Sequence, residues 1–490
     1  MLKKTFTGLL LLSGLWAGSC KDSDEEVQID VKNIQVTGME EGAEVWNTAA
    51  LSVTAENQEG IQQIDFYVGD ESIASDKTAP YEFSWNTREY EDGEYTVKMV
   101  VVTTGGKTVE KTLAVQVKNT LLELAVEDGF LSSQDKEYFV VISDTTGNVL
   151  HYQKIQNGET YSILSPETFN DAVFDVTIVY EDMGNGVVLR LNSTLSLPRG
   201  FHFPLKDNSV HSTDVTLNYI NASPEMEWYR LTTNNMQTSI GQSQPTGELM
   251  IEIKGAESSL YVWGQNQEGK YFSHLFESIK PGQENIIDLS KVNTESEVVD
   301  GNFPEDKLLD GAYMYGWIGS EKYELSAYKY DTEQKTYSYI QHPEAIFDRM
   351  GLDYSFDFGD ITIFHDNSPG PKPSFPVIEG AKASGEVKSI YEFTYQAEGD
   401  FDFVDMFISN STYKYLWYCS GPKERNHIRP IDFPEEIKNK IPEDTEVSRY
   451  DIILTELPEH NGYLDAVKTD LLDIRYRKER VQMEYNLLDK

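Results

Sequence analysis

Tyrosine and tryptophan recur at every second position in two runs, Tyr313-Met314-Tyr315-Gly316-Trp317 and Tyr413-Lys414-Tyr415-Leu416-Trp417. Alternate side chains of an extended chain share a face, so each run sets three rings in a row. Such a row can stack on the C–H faces of sugar rings while neighbouring acids meet the hydroxyls. It equally suits a protein-interface patch, where Tyr and Trp are enriched, or the packed interior of a β-sandwich. Met314 and Leu416 on the opposite faces do not decide which side is buried. The candidate ligand-binding residues are therefore Tyr313, Tyr315, Trp317, Tyr413, Tyr415 and Trp417. Tyr328 with Tyr330, and Tyr337 with Tyr339, repeat the spacing on either side of an Asp331–Lys335 turn.

Two acidic clusters could hold a hard cation. One is Asp353, Asp357, Asp360 and Asp366 beside His365, and the other is Asp400, Asp402 and Asp405. Carboxylate and carbonyl oxygens are the ligands calcium takes, although neither cluster has EF-hand spacing. A solvated strand face is the alternative for both. No motif asks for another cofactor. The eight histidines are scattered and none forms His-Glu-x-x-His. Gly241-Gln242-Ser243-Gln244-Pro245 lacks the second glycine of a nucleophile elbow, and there is no phosphate-cradling Gly-x-x-x-x-Gly-Lys-Ser/Thr. Glycosidases need only two carboxylates brought together by folding, which sequence alone does not identify among 82 acids.

Strands must position these rows. Between residues 29 and 118, alternating segments such as Gln63–Val68, Tyr81–Trp85, Tyr95–Val100 and Leu113–Val117 are broken by Gly69-Asp70, Asp92-Gly93 and Gly105-Gly106. Short period-2 runs with regular turn signals predict a sandwich. The same pattern continues downstream. Tyr138–Ile142 and Val149–Tyr152 flank the turn Asp144–Asn148, and Phe174–Tyr180 faces Val187–Leu191 across Met183–Gly186. The fold class is mainly β, with tandem β-sandwich domains. Expected divisions are a β-sandwich-like domain over 119–221, a β-rich domain over 222–300 and a Tyr/Trp-rich β domain over 301–490. A linker is expected over Ser296–Asp310 and a short helix at Pro434–Lys438.

From Gly60 to Val117 the chain closely resembles bacterial Ig-like domains of exported proteins. Gly60-Ile61, Phe66-Tyr67-Val68, Ala79-Pro80-Tyr81, Phe83, Trp85 and Asp92-Gly93-Glu94-Tyr95-Thr96 carry the resemblance. It implies an Ig-like sandwich over 29–118 that acts as a spacer or a binding module. Asp144-Thr145-Thr146 also resembles a short O-glycan acceptor of exported bacterial proteins.

The N-terminus predicts export. Lys3 and Lys4 precede an apolar run from Leu9 to Trp16, too short to span a bilayer, and small residues lead to Cys20. Residues 1–19 are expected as a signal peptide. Ala17-Gly18-Ser19-Cys20 resembles the lipobox of bacterial lipoproteins, which implies acylation of Cys20, with palmitate-type chains as the membrane anchor. Lys21-Asp22-Ser23-Asp24-Glu25-Glu26 looks like the acidic tether of surface lipoproteins of the Bacteroidota type, giving an anchor and tether over 20–28. Cys419 is the only other cysteine, so a lipidated Cys20 leaves no intrachain disulfide. Acids outnumber bases 82 to 41, for a net charge of −41, which argues against a nucleic-acid partner. The expectation is an outer-membrane, cell-surface lipoprotein that binds or scaffolds a glycan or an outer-membrane protein. A glycan-degrading enzyme with an Ig-like spacer and a structural subunit of an outer-membrane assembly are the rivals.

Overall fold

The computed structural model describes residues 32–131, 137–182, 188–206, 212–241, 244–304, 308–327, 329–331, 333–343, 346–357, 361–370, 372–410, 414–425, 430–441, 446–468 and 480–488. The signal segment, Cys20, the acidic tether, Tyr328, Asp360 and Tyr413 lie outside these residues. The described residues fall into two compact units, divided between Lys118 and Asn119.

In the first unit, Lys32–Thr37, Thr48–Glu56 and Tyr81–Asn86 form one sheet. Ala43–Val45, Thr108–Val117, Gly93–Thr103, Ile61–Val68 and Glu71–Asp76 form the other. Strict alternation makes the sandwich. Tyr81, Phe83 and Trp85 point inward while Glu82, Ser84 and Asn86 face water. Phe83 stacks on Phe66 of the opposite sheet at 5.0 Å between ring centroids. The strands expected here all lie within observed ones.

The second unit is built on a twelve-stranded sheet. Its order from one edge is Val149–Lys154, Tyr138–Ser143, Val173–Asp182, Val188–Pro198, Tyr415–Pro422, Phe403–Ser409, Arg449–Glu456, Arg480–Asn486, Ile361–Pro369, Arg349–Asp357, Leu308–Ile318 and Glu321–Ala327. The join between its early and late halves is parallel, running from Leu189↔Tyr415 to Thr194↔Ser420. Alternation again assigns the faces. Val140, Ile142, Val176 and Ile178 pack against a three-stranded sheet made of Thr160–Leu164, Thr120–Val126 and Phe201–Leu205. Phe139, Val141, Trp417, Met406, Ile452, Met483, Ile363 and Met314 form the larger core on the other face, together with Tyr261, Trp263 and Tyr339 of a seven-stranded sheet. The far face of that second sheet, with Tyr229, Leu231 and Val262, packs on the sheet of Ser212–Ile220, Gly247–Lys254 and Asn285–Asp288.

These pairings cross the divisions expected after 221 and after 300. Ser212–Ile220 pairs with Gly247–Lys254, and Thr294–Asn302 pairs with Thr336–Gln341. The stretch expected as a linker thus contains a strand. Turn residues mark where a chain reverses, but strand partners far apart in sequence are chosen by burial. The helix Glu435–Lys438 begins after Pro434 as its composition predicts.

Candidate binding face

The two aromatic rows have different fates. Tyr415 and Trp417 are buried in the large core, at 0% and 1% exposure. Trp417 meets Phe393 edge-on at 5.6 Å and donates its indole N–H to Ser193 Oγ at 2.9 Å. The Tyr415 hydroxyl donates to the Glu446 carbonyl at 3.2 Å. Both are corrected from candidate ligand residues to core residues. Their strand has neighbours on both sides, and its odd-numbered face is packed by Phe393 of the hairpin Lys382–Ser389/Glu392–Glu398 and by Phe433.

Tyr313, Tyr315 and Trp317 take the opposite side. Ala312 and Met314 fill the core, so the three rings stand on the outer face of the strand Leu308–Ile318. Same-face residues of a strand repeat every ~6.7 Å, so the row is about 13 Å long. Exposure falls along it. Tyr313 is 47% exposed, Tyr315 is half-buried and Trp317 is 6% exposed.

Cross-strand neighbours explain that gradient. Trp317 lies opposite Lys322 on one side and Arg349 on the other. The Arg349 guanidinium sits over the indole at 4.1 Å. Lys322 leans diagonally, with its ammonium 3.6 Å from the Tyr315 ring and 5.4 Å from that of Trp317. The same ammonium donates to Asp353 at 2.7 Å. Gly351 makes room for the indole, since a Cβ there would stand 3.0 Å from the Trp317 ring. On the core side of the same strand, Gly316 admits the Phe347 ring, which would lie 2.4 Å from an added Cβ. Burial pushes the Tyr315 hydroxyl's pKa up, and the nearby Asp353 and Glu324 carboxylates push it further.

Asp353, Asp366, Asp402 and Asp405 of the expected clusters each have a partner of their own, while Asp360 and the Asp357 side chain lie outside the described residues. Asp353 bonds Lys322, and Asp366 bonds Arg480 with Nε at 2.7 Å. His365 points into the core and pairs with the Tyr354 hydroxyl at 2.7 Å. Asp402 accepts the Leu457 N–H at 2.7 Å, whereas Asp405 is 1% exposed beneath Ser420 and Tyr418. Burial raises the Asp405 carboxyl to about 6. Among the described residues no group of three or more acid, His or Cys side chains is placed to hold a metal ion. The Asp144 carboxylate ties its turn together by accepting from the Thr146 N–H and hydroxyl and from Asn148.

Sequence reasoning missed Lys322, Arg349 and Gly351. Each lies on or faces a neighbouring strand, and no local spacing connects it to the rings. A glycine between apolar residues in Arg349–Asp357 is the one signal of a close approach. No helix among the described residues is long and apolar enough to cross a membrane.

Residues 33–99 match the family described as bacterial Ig domain, in agreement with the sandwich of the first unit. No curated protein matches the chain. Fibronectin(III)-like modules of Clostridium thermocellum CbhA are 27% identical over 17% of this chain and 94% of theirs, with a TM-score of 0.16. A Bacteroides ovatus mixed-linkage glucan utilization locus protein, SGBP-B, solved with a mixed-linkage heptasaccharide, is 12% identical over 64% of this chain and 93% of its own, with a TM-score of 0.17. A Ca²⁺-stabilized ice-binding adhesin of an Antarctic bacterium is 12% identical over 66% and 95%, with a TM-score of 0.15.

Proposed function

We propose that this chain is an exported surface lipoprotein, acylated at Cys20 and held at the outer membrane, that binds a glycan on the outer face of the strand Leu308–Ile318. The Ig-like unit then serves as a spacer. One observation carries the glycan reading: an aromatic row on a solvent-facing sheet surface, open at Tyr313 and flanked by hydrogen-bonding side chains. An aromatic face offers apolar area to sugar C–H groups, while Asp353 and Lys322 beside it offer an acceptor and donors.

Isothermal titration against a panel of soluble oligosaccharides tests the reading, with Tyr313→Ala and Trp317→Ala as variants. Loss of glycan binding in Tyr313→Ala with an unchanged unfolding midpoint supports it. Binding untouched by both changes removes this face from consideration. The anchor has its own test. Replacement of Cys20 by Ala is expected to release the protein from the membrane fraction, and retention there overturns the lipid assignment.

A further inference from the structure

We infer that the glycan bound on this face carries a carboxylate, as a uronic acid does, and that Arg349 receives it. The inference rests on the glycan reading above and adds the ligand's charge to it. Arg349 is exposed at the start of its strand, and among the described residues none of its interactions is with a carboxylate. Other cations of this sheet are paired: Lys322 with Asp353, Arg449 with Asp451 and Glu484, Arg480 with Asp366. In a chain with 82 acids, an arginine kept from them is held there by something else.

That something is the indole. Trp317 is almost fully buried over Gly351, so the surface beneath the guanidinium is fixed. Stacking orients the planar group, and a pre-oriented fork loses less freedom when it takes a planar carboxylate through two N–H bonds. A lysine-like point charge would not need the platform. Lys322, its charge met by Asp353, lies one ring further along, against both Tyr315 and Trp317. Asp348, Asp353, Glu324 and Asp366 are the nearby acids among the described residues. Asp353 is engaged by Lys322, and Asp348 accepts the Gly319 N–H at 2.6 Å. The net charge of −41 repels anions at long range, but at physiological salt exposed charges are screened beyond about 8 Å. Recognition of an anion is then decided locally.

The experiment uses the chain from residue 21 onward and two probes of one backbone, an oligogalacturonate and its methyl ester. Titration calorimetry at low and at physiological salt is expected to show the acid binding about tenfold to a hundredfold more tightly, as charge-assisted bonds require. Arg349→Gln should remove that preference, bringing the acid and the ester to the same affinity. Arg349→Lys should restore only part of it. Equal binding of acid and ester, or a preference that survives Arg349→Gln, overturns the carboxylate assignment and leaves the glycan reading standing. Binding of neither probe, nor of any oligosaccharide in the panel, overturns the glycan reading itself. Displacement of the oligogalacturonate by an acidic peptide at equal concentration assigns the face to a protein partner and overturns the inference.

Discussion

Asp405 gives the sharpest quantitative test of how this sheet is built. Its carboxyl is 1% exposed, and burial raises it from 3.8 to about 6 despite hydrogen bonds from Ser420 and Tyr418 and the nearby charge of Arg480. The folded state therefore holds this proton more tightly than the unfolded chain does. The stabilisation is complete below pH 3.8 and is lost as pH rises through about 6. At about 1.36 kcal/mol per pKa unit the whole loss is about 3 kcal/mol, of which about 1.4 falls between pH 5 and pH 7.5. Asp405→Asn keeps an oxygen for Ser420 and Tyr418 but does not titrate. Urea unfolding followed by tryptophan fluorescence at the two pH values is the assay. The stability difference between variant and parent should shift in the variant's favour by about 1.4 kcal/mol on going from pH 5 to pH 7.5. Asp451, also raised to about 6 by burial, keeps its own slope in both proteins. Glu333→Gln, at an exposed site, controls for the lost net charge. If Asp405→Asn weakens with pH as steeply as the parent, the buried carboxyl does not behave as argued.

The remaining predictions concern packing and reactivity. Trp417→Ala should lower stability by about 3–5 kcal/mol, whereas Tyr313→Ala should stay within about 0.5, as urea midpoints would show. Equal effects would mean that the two rows share one environment. Gly316→Ala drives a methyl into the Phe347 ring and should destabilise by about 1–3 kcal/mol, read by the same unfolding curves. Cys419 is fully buried, and burial raises its thiol pKa well above the usual range. It should resist an aromatic disulfide reagent in the native protein and react in full in denaturant. Rapid native labelling would contradict its place in the core.

The strands, their alternation and the Ig-like unit were legible because each is a local matter. Period-2 burial in Tyr81–Asn86 and the turn Asp144–Asn148 depend on residues a few positions apart. The rows of rings were visible for the same reason, since spacing alone places Tyr313, Tyr315 and Trp317 on one side of a strand. Sequence could not say which side would be covered. Tyr415–Pro422 and Leu308–Ile318 carry the same Tyr-x-Tyr-x-Trp spacing or its continuation. One nevertheless turns its rings into the large core, against Phe393 and Phe433, and the other turns its rings away from that core.

That choice is long-range. The parallel join of Val188–Pro198 to Tyr415–Pro422 links residues more than two hundred positions apart and sets Leu189 and Leu191 beside Tyr415 and Trp417. The pairings that cross residues 221 and 300, of Ser212–Ile220 with Gly247–Lys254 and of Thr294–Asn302 with Thr336–Gln341, are likewise beyond the reach of local pattern. The contacts that shape the exposed row, Arg349 on Trp317 and Lys322 on Tyr315, arise from strand register and have no signature of their own. By itself the sequence determined an all-β chain with an Ig-like start, because alternation and turns act over a few residues. Only the tertiary structure decided which aromatic row meets solvent, because that depends on which sheet covers which face.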